Sequence, residues 1–324
     1  MAAIRIWLLG TCGLILILAA CGGAAAPSTT ATSAAVAKPE RPSVKIVYGT
    51  ASGEDVFAVL AAQKGFFQRY GVSADVSYAA SNVGLAALTS GEAQFNLADG
   101  VGAVQAIVAG SPTKVLAYFD KLNPYALVTT PEVKQIADLK GRTVAISKFG
   151  DTSEISLRMA LKDSGVTAKD LDILQVGNSP ARFAALQTKQ VAGAVLDADA
   201  FAKQAQAQGM NVLVDLKEKR LPYVASALLV TDAFAKDNPN TVTAVLRALI
   251  DGGRFFSDET NQPEVMSAMA KELKLTPGSP ELQAAYDAYR ARPGSDPYPD
   301  KAGVQTILEA LRGIDAVRYG SITP

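Results

Sequence analysis

The sequence predicts an α/β protein with two α/β domains. Three observations lead to this fold class. The chain has 324 residues, which is enough for two domains of ordinary size. From about residue 43, short β-rich runs alternate with amphipathic helical runs, and the alternation starts again after Pro131. Because strands that are separated by helices pair in parallel sheets, two such runs favour two sheets, each with its own helices.

The first run opens with a strand over 43–48, where the residues alternate and are rich in β-branched side chains. Apolar residues at helical spacing between Val56 and Phe67 predict a helix that ends at Gly71. Further helices are predicted after Ser81 and after Asp99. The other strands predicted in this run are 74–78, 91–97, 114–119 and 125–129.

The second run repeats this alternation and then becomes helical. Its predicted strands are 143–147, 171–176, 192–197 and 211–214, with helices over 153–161, 181–188 and 200–208 between them. The segment 223–230 is predicted to be a return strand. After it, amphipathic helices are predicted over 241–256, 263–273, 280–291 and 301–314.

The amino-terminal residues are predicted to be a targeting segment. Residues 1–20 combine Arg5 with a short apolar stretch, as in a signal peptide. They end in Leu18-Ala19-Ala20-Cys21, which resembles a bacterial lipobox. That resemblance implies a lipid on Cys21 that anchors the protein to a membrane. The alternative is an ordinary secretory signal with a chance cysteine. Residues 21–42 are dominated by Gly, Ala, Pro, Ser and Thr and are predicted to be a flexible linker.

Composition excludes several classes of function. Lys plus Arg and Asp plus Glu both number 31, which argues against a dedicated nucleic-acid binder. The absence of histidine removes His-based acid–base catalysis, Ser-His-Asp and Cys-His nucleophiles and most zinc sites. The two cysteines, Cys12 and Cys21, lie near the start, so no disulfide is expected in the folded part. We therefore expect no metal, no cofactor and no enzymatic activity.

Five segments in order resemble a known family. They are AQKGFF with YGV (62–72), LTSGEAQF (88–95), IVAGSPTK (107–114), IADLKGRTVA (136–145) and the helix start over 234–245. On these segments the chain resembles the substrate-binding proteins of ABC importers, in the group for nitrate, sulfonates, taurine and thiamine precursors. The resemblance implies a two-lobed type II periplasmic-binding-protein fold with a helical carboxyl-terminal region. Lobe 1 would comprise 43–129 plus 223–324 and lobe 2 would comprise 130–222, with crossovers near 129–133 and 218–224.

The resemblance also places a ligand in the cleft between the lobes. Ligands of open α/β sheets lie beyond the carboxyl ends of the strands, next to helix amino termini. We therefore expect the polar residues that follow the strands to bind the ligand: Thr50, Ser52, Ser81, Asn82, Asp99, Ser147, Lys148, Thr152, Ser153, Asn178 and Asp197. Three alternatives stay open. Asn82 and Asp99 are also suited to capping helices, Asp151 with Glu154 fits a capping box, and Lys148 fits a solvated loop.

The charges of these loops limit the ligand. None of them contains Arg, and Arg182, just inside a helix, is the nearest one. Glu54, Asp99, Asp151 and Asp197 would repel an anion. We therefore expect a small neutral, zwitterionic or aromatic solute rather than nitrate or sulfate.

The predicted protein is thus a monomeric solute-binding lipoprotein. It would lie in the periplasm or at the outer cell surface, attached to the membrane through Cys21, and would deliver its solute to an ABC permease. Two other functions stay open: a sensory or structural lipoprotein with the same fold, and a carboxylate-dependent enzyme.

Overall fold

The protein has a mixed α/β fold with two five-stranded sheets. The structure, a computed structural model, describes residues 37–49, 53–79, 81–290, 297–299 and 301–312. The predicted signal peptide and Cys21 lie outside these residues. Within the described part of the chain, no helix has the length and apolar character that a membrane crossing requires.

The first sheet has the strand order β2-β1-β3-β10-β4. Its strands β1, β2 and β3 are parallel, whereas β10 is antiparallel to both of its neighbours. The strands are β1 (Ser43–Tyr48), β2 (Ser73–Tyr78), β3 (Phe95–Asp99), β4 (Thr113–Leu122) and β10 (Pro222–Thr231). The helices between them are α1 (Val56–Gln63), α2 (Phe66–Arg69), α3 (Ser81–Ser90) and α4 (Gly100–Val108).

The second sheet repeats this order, as β7-β6-β8-β5-β9. Its strands β6, β7 and β8 are parallel, and β5 is antiparallel to β8 and β9. The strands are β5 (Tyr125–Thr129), β6 (Thr143–Ile146), β7 (Asp172–Gln175), β8 (Gly193–Asp197) and β9 (Asn211–Asp215). The helices are α5 (Thr152–Leu161), α6 (Ser179–Gln187) and α7 (Lys203–Ala207), the last preceded by a π-helical turn over Ala198–Ala202.

The carboxyl-terminal region is helical, as predicted. Its helices are α8 (Asp232–Asp237), α9 (Pro239–Ser257), α10 (Gln262–Leu273), α11 (Pro280–Tyr289) and α12 (Lys301–Arg312). The long helix α9 packs against α1, where an added Cβ at Gly252 would lie 2.5 Å from the Phe57 carbonyl oxygen. Glycine at this position therefore permits the close approach of the two helices.

The chain crosses between the sheets earlier than the predicted boundary at 129. Strand β5 was assigned to the first lobe, but it pairs with β8 and β9 in the second sheet. The connections between the sheets are therefore residues 123–124 and 216–221. The sheet that β5 joins was not predictable, because an apolar run in the sequence indicates a buried strand but not its pairing partners. The sheets are also not purely parallel, since each contains one antiparallel strand that comes directly from the other lobe.

The predicted helix from Val56 to Gly71 is broken in two. The backbone φ of Gly65 is +71°, in the left-handed region that ends a right-handed helix. Lys64 and Gly65 thus separate α1 from α2. Phe66 and Phe67 nevertheless remain buried, as their spacing predicts.

A hydrophobic cluster joins the two lobes behind the cleft. Ile155 of α5 is fully buried among residues of the first sheet and its helices, including Val101 of α4, Tyr223 of β10 and Ile307 of α12. Helix α5 follows β6 of the second sheet, so one helix contributes to the core of both lobes. The buried Asn123 Nδ2 donates to Ser156 Oγ of α5 at 2.9 Å, which ties the first connection to the same helix.

Candidate functional site

A cavity of about 530 Å³ lies between the two sheets. Its walls include Tyr78, Asp99 and Asp197, which end β2, β3 and β8, and Ser147, which follows β6. These are the carboxyl ends of parallel strands from both sheets, where the topology of open α/β sheets places a ligand. A volume of this size suits a small organic molecule.

Six of the eleven predicted ligand-binding residues line this cavity. They are Asp99, Ser147, Lys148, Thr152, Asn178 and Asp197. Ser153 does not line the cavity; its Oγ accepts from the Ser147 N–H at 2.8 Å and donates to Asp151 at 2.7 Å. Thr50 and Ser52, and the side chains of Ser81 and Asn82, lie outside what the structure describes, so their role stays a prediction.

Asp99 connects the two lobes across the cavity. Its Oδ1 accepts from the Gly102 N–H at 2.9 Å, so Asp99 caps α4, as the alternative prediction held. The same oxygen accepts from Thr152 Oγ1 of the second lobe at 3.3 Å. Burial raises the pKa of Asp99, and the nearby charge of Asp151 raises it further, whereas the Gly102 bond and Lys148 lower it. Protonation of Asp99, or a positive charge in the cavity next to it, would therefore be stabilising.

The turn between β6 and α5 is held by Asp151. Its carboxylate caps α5 by accepting from the Ser153 and Glu154 N–H groups at 2.9 and 3.2 Å, and it also accepts from Ser147 Oγ at 2.6 Å. The predicted capping box is only partly formed, because Glu154 accepts from the Gly150 N–H at 2.6 Å instead. The start of α5 is thus satisfied internally and offers little to an anion.

Arg182 of α6 brings a buried positive charge to the cavity wall. The side chain is 1% exposed. Its guanidinium donates to the carbonyl oxygens of Val195, at 2.6 Å, and Gly177, and to Ser179 Oγ at 2.8 Å. In the described part of the chain, none of its hydrogen bonds goes to a carboxylate. A buried guanidinium without a counter-ion is costly, so an anionic group in the cavity would be stabilised there.

Two further predicted residues also cap helices. Asn178 Oδ1 accepts from the Ala181 N–H at 3.0 Å at the start of α6. Asp197 Oδ1 accepts from the Ala200 and Asp199 N–H groups at 3.0 and 3.2 Å. Both side chains also line the cavity.

The aromatic part of the cavity was not predicted from the sequence. Tyr78, Tyr125, Phe201 and Tyr289 line it, and Tyr289 comes from α11, far from any strand end. The Tyr78 side chain is 53% exposed. Tyr78 ends β2, and this position could have identified it. No sequence signal marks the contributions of α11, namely Glu281, Ala285 and Tyr289.

Comparison with known proteins identifies the family. The model of the NMT1/THI5-like family matches residues 55–262, which is more than half of the chain. The chain belongs to the NMT1/THI5-like family. No curated relative matches the sequence.

Solved structures of periplasmic binding proteins resemble this NMT1/THI5-like protein in fold. The aliphatic sulphonate binding protein SsuA of Escherichia coli has a TM-score of 0.68 at 20% identity, over 85% of this chain and 88% of that one. The alkanesulfonate-binding protein SsuA of Xanthomonas axonopodis pv. citri, bound to MOPS, has a TM-score of 0.64 at 20% identity, over 86% and 94%. The nitrate-binding protein NrtA of Synechocystis PCC 6803 has a TM-score of 0.64 at 16% identity, over 88% and 84%. The predicted two-lobed periplasmic-binding-protein fold is therefore confirmed.

Proposed function

We propose that the protein is the solute-binding lipoprotein of an ABC importer and that its solute is a small zwitterion with a flat ring. The observation that carries this proposal is the cavity between the sheets, which combines charges of both signs with four aromatic side chains. The protein would bind the solute as a monomer, close on it, and deliver it unchanged to a membrane permease.

The charges of the cavity favour a zwitterion. Arg182 supplies a buried positive charge that lacks a carboxylate partner in the described part of the chain, and Lys148 adds a second one. Asp99 and Asp197, with Asp151 beside them, supply negative charge. A solute with one anionic and one cationic group would match both sets, whereas a simple anion would face the carboxylates unpaired.

The size and the apolar surface favour a ring. A cavity of about 530 Å³ is far larger than a water-sized ion needs. One water molecule takes up only about 30 Å³ in the liquid. Tyr78, Tyr125 and Phe201 come from both lobes and offer ring faces and edges to a flat molecule. We therefore favour an aromatic zwitterion over nitrate, in agreement with the sequence analysis.

Closure would bend the chain at residues 123–124 and 216–221. These are the two connections between the sheets, so a small change in their backbone angles would turn one lobe against the other. The Thr152 Oγ1–Asp99 Oδ1 bond already joins the lobes at the cavity and would be kept on closure.

Isothermal titration with four para-substituted benzene rings of similar size tests the solute class. The probes are para-(aminomethyl)benzoate, para-methylbenzoate, para-methylbenzylamine and para-methylbenzyl alcohol, with nitrate as a fifth. The zwitterion should bind most tightly, and each missing charge should weaken binding by about tenfold, or roughly 1.4 kcal/mol. Tight binding of nitrate together with no binding of any ring compound would refute the proposal. Chemical turnover of a probe would favour the enzyme alternative.

Detergent phase partition and mass spectrometry of the mature amino terminus test the lipid anchor. The protein expressed in a bacterial host should enter the detergent phase and carry a lipid on Cys21. The Cys21→Ser variant should lose both properties, whereas Cys12→Ser, the matched control inside the predicted signal peptide, should keep them. An unmodified mature chain that begins at any other residue would contradict the lipoprotein assignment.

A further inference from the structure

Helix α11 forms a third wall of the cavity. Glu281, Ala285 and Tyr289 are spaced four residues apart, so they lie on one face of the helix, and all three line the cavity. This wall comes from neither set of strand ends. It also lies outside residues 55–262, the part of the chain that the family model matches.

The helix is fixed to the first lobe and reaches the second. Leu282 and Tyr286 are buried in the core that packs on the first sheet, so α11 moves with lobe 1. On its other side, α11 packs against the π-helical turn Ala198–Ala202 of the second lobe. The Tyr289 ring lies against Gly53 just ahead of α1, where an added Cβ would be 2.3 Å from the ring. The helix therefore spans the opening between the lobes.

The three lining side chains differ in size and charge. Ala285 is the smallest and lies in the middle of the stripe, so any larger side chain there would project into the cavity. Glu281 is exposed, and none of the ion pairs among the described residues involves it. Its negative charge is therefore available to a ligand at the cavity.

We propose that α11 selects the solute, with Ala285 setting the size limit and Glu281 attracting the cationic group. This inference rests on the proposed solute-binding function and assigns part of its specificity to two residues outside the strand ends. The charge of Glu281 complements Arg182 on the second lobe, so the two residues would orient a zwitterion across the cleft.

Thiol labelling tests the wall without any solute. The full chain with Cys12→Ser and Cys21→Ser has no other thiol, so Ala285→Cys introduces a single reactive group. Its reaction with a methanethiosulfonate that carries a trimethylammonium group should be faster than with one that carries a sulfonate. Adding Glu281→Gln should lower that rate ratio by about threefold, because one nearby charge is removed. The control, Gln283→Cys, is two residues from Glu281 on a different face of α11 and does not line the cavity, so Glu281→Gln should change its ratio less.

Titration with the ring zwitterion para-(aminomethyl)benzoate tests the two roles. Ala285→Leu should weaken its binding by about tenfold or more, because the larger side chain would occupy part of the cavity, while Ala284→Leu should leave it unchanged. Glu281→Gln should weaken binding of the zwitterion by about threefold. Binding of para-methylbenzoate should stay unchanged or become tighter. Melting temperatures of all variants show whether the chain is folded.

The outcomes separate this inference from the proposed function. If the unmodified protein binds none of the ring probes, the proposed solute class is wrong. The labelling ratios would still show whether the charge of Glu281 acts at the cavity wall formed by α11. An unchanged labelling ratio after Glu281→Gln overturns the charge role of α11. Unchanged zwitterion binding in Ala285→Leu, in a protein that binds the probe, overturns the size role.

Discussion

Replacing Arg182 should separate ligand binding from stability. We consider Arg182→Met, which keeps much of the volume and removes the charge. The variant loses hydrogen bonds to the carbonyl oxygens of Val195 and Gly177 and to Ser179 Oγ, and bonds to a charged group contribute about 1.5–3 kcal/mol each. It also removes the desolvation penalty of a guanidinium that is buried without a carboxylate partner in the described residues. This penalty is roughly several kcal/mol.

These two effects on the free energy of unfolding oppose each other. We therefore expect Arg182→Met to change stability by no more than about 2 kcal/mol, with either sign. Binding of an anionic ligand should change far more, since losing one partner of a buried charge pair costs about 2–5 kcal/mol, or roughly 30-fold to several thousand-fold in affinity.

The assay is urea unfolding together with titration of para-methylbenzoate and para-methylbenzylamine. The variant should lose binding of the benzoate and keep or improve binding of the benzylamine. Arg142→Met is the matched control, because Arg142 is exposed and does not line the cavity. Equal benzoate affinity in the variant and the unmodified protein would refute the reasoning that Arg182 attracts an anion. Complete unfolding of the variant would refute the balance of energies.

Three further predictions follow from single contacts. Asp99→Asn should raise the melting temperature at neutral pH, because burial raises the pKa of Asp99 and disfavours its charge; the gain should vanish as the pH falls towards 3.8, the ordinary value. Glu40→Gln should lower the melting temperature at neutral pH. Burial raises the pKa of Glu40, but bonds from Thr241 and Asn240 outweigh it and lower the pKa from 4.5 to about 2, so the difference should disappear as the pH falls from 4.5 to about 2. Gly100→Ala should cost about 3 kcal/mol or more, because its Cβ would lie 1.8 Å from a backbone oxygen of β10.

Differential scanning calorimetry over a pH series checks the first two of these, and urea unfolding checks the third. An Asp99→Asn variant that is less stable at every pH would mean that the negative charge, rather than the cap, stabilises the start of α4. A Glu40→Gln difference that persists at pH 2 would contradict the lowered pKa. A fully stable Gly100→Ala variant would show that β10 can shift away from α4.

Strands and helix starts were predictable where the local sequence pattern determines them. Ser43–Tyr48 and Tyr125–Thr129 form strands at the predicted residues, and the predicted start of α11 at 280 is confirmed. The partner sheet of Tyr125–Thr129 was predicted wrongly, because pairing depends on residues about 70 and 90 positions away in β8 and β9. The break at Gly65 was missed because glycine is compatible with both a continuous and an interrupted helix.

The cavity was predictable only where it follows the strands. The rule that ligands lie beyond strand ends leads to Asp99, Ser147 and Asp197, since these residues are adjacent to strands in the sequence. Arg182 was named as the nearest arginine, but its side chain reaches the cavity from inside a helix, which spacing alone does not show. Ala285 and Tyr289 reach it through the packing of α11 on both lobes, a tertiary arrangement without a local pattern.

Ile155 has a consequence for how the molecule melts. Its side chain packs in the hydrophobic cluster of the first sheet, whereas its helix, α5, follows β6 of the second sheet. Unfolding of either lobe would therefore expose apolar side chains of the other. Heating should therefore produce one calorimetric peak for both halves instead of two separate ones.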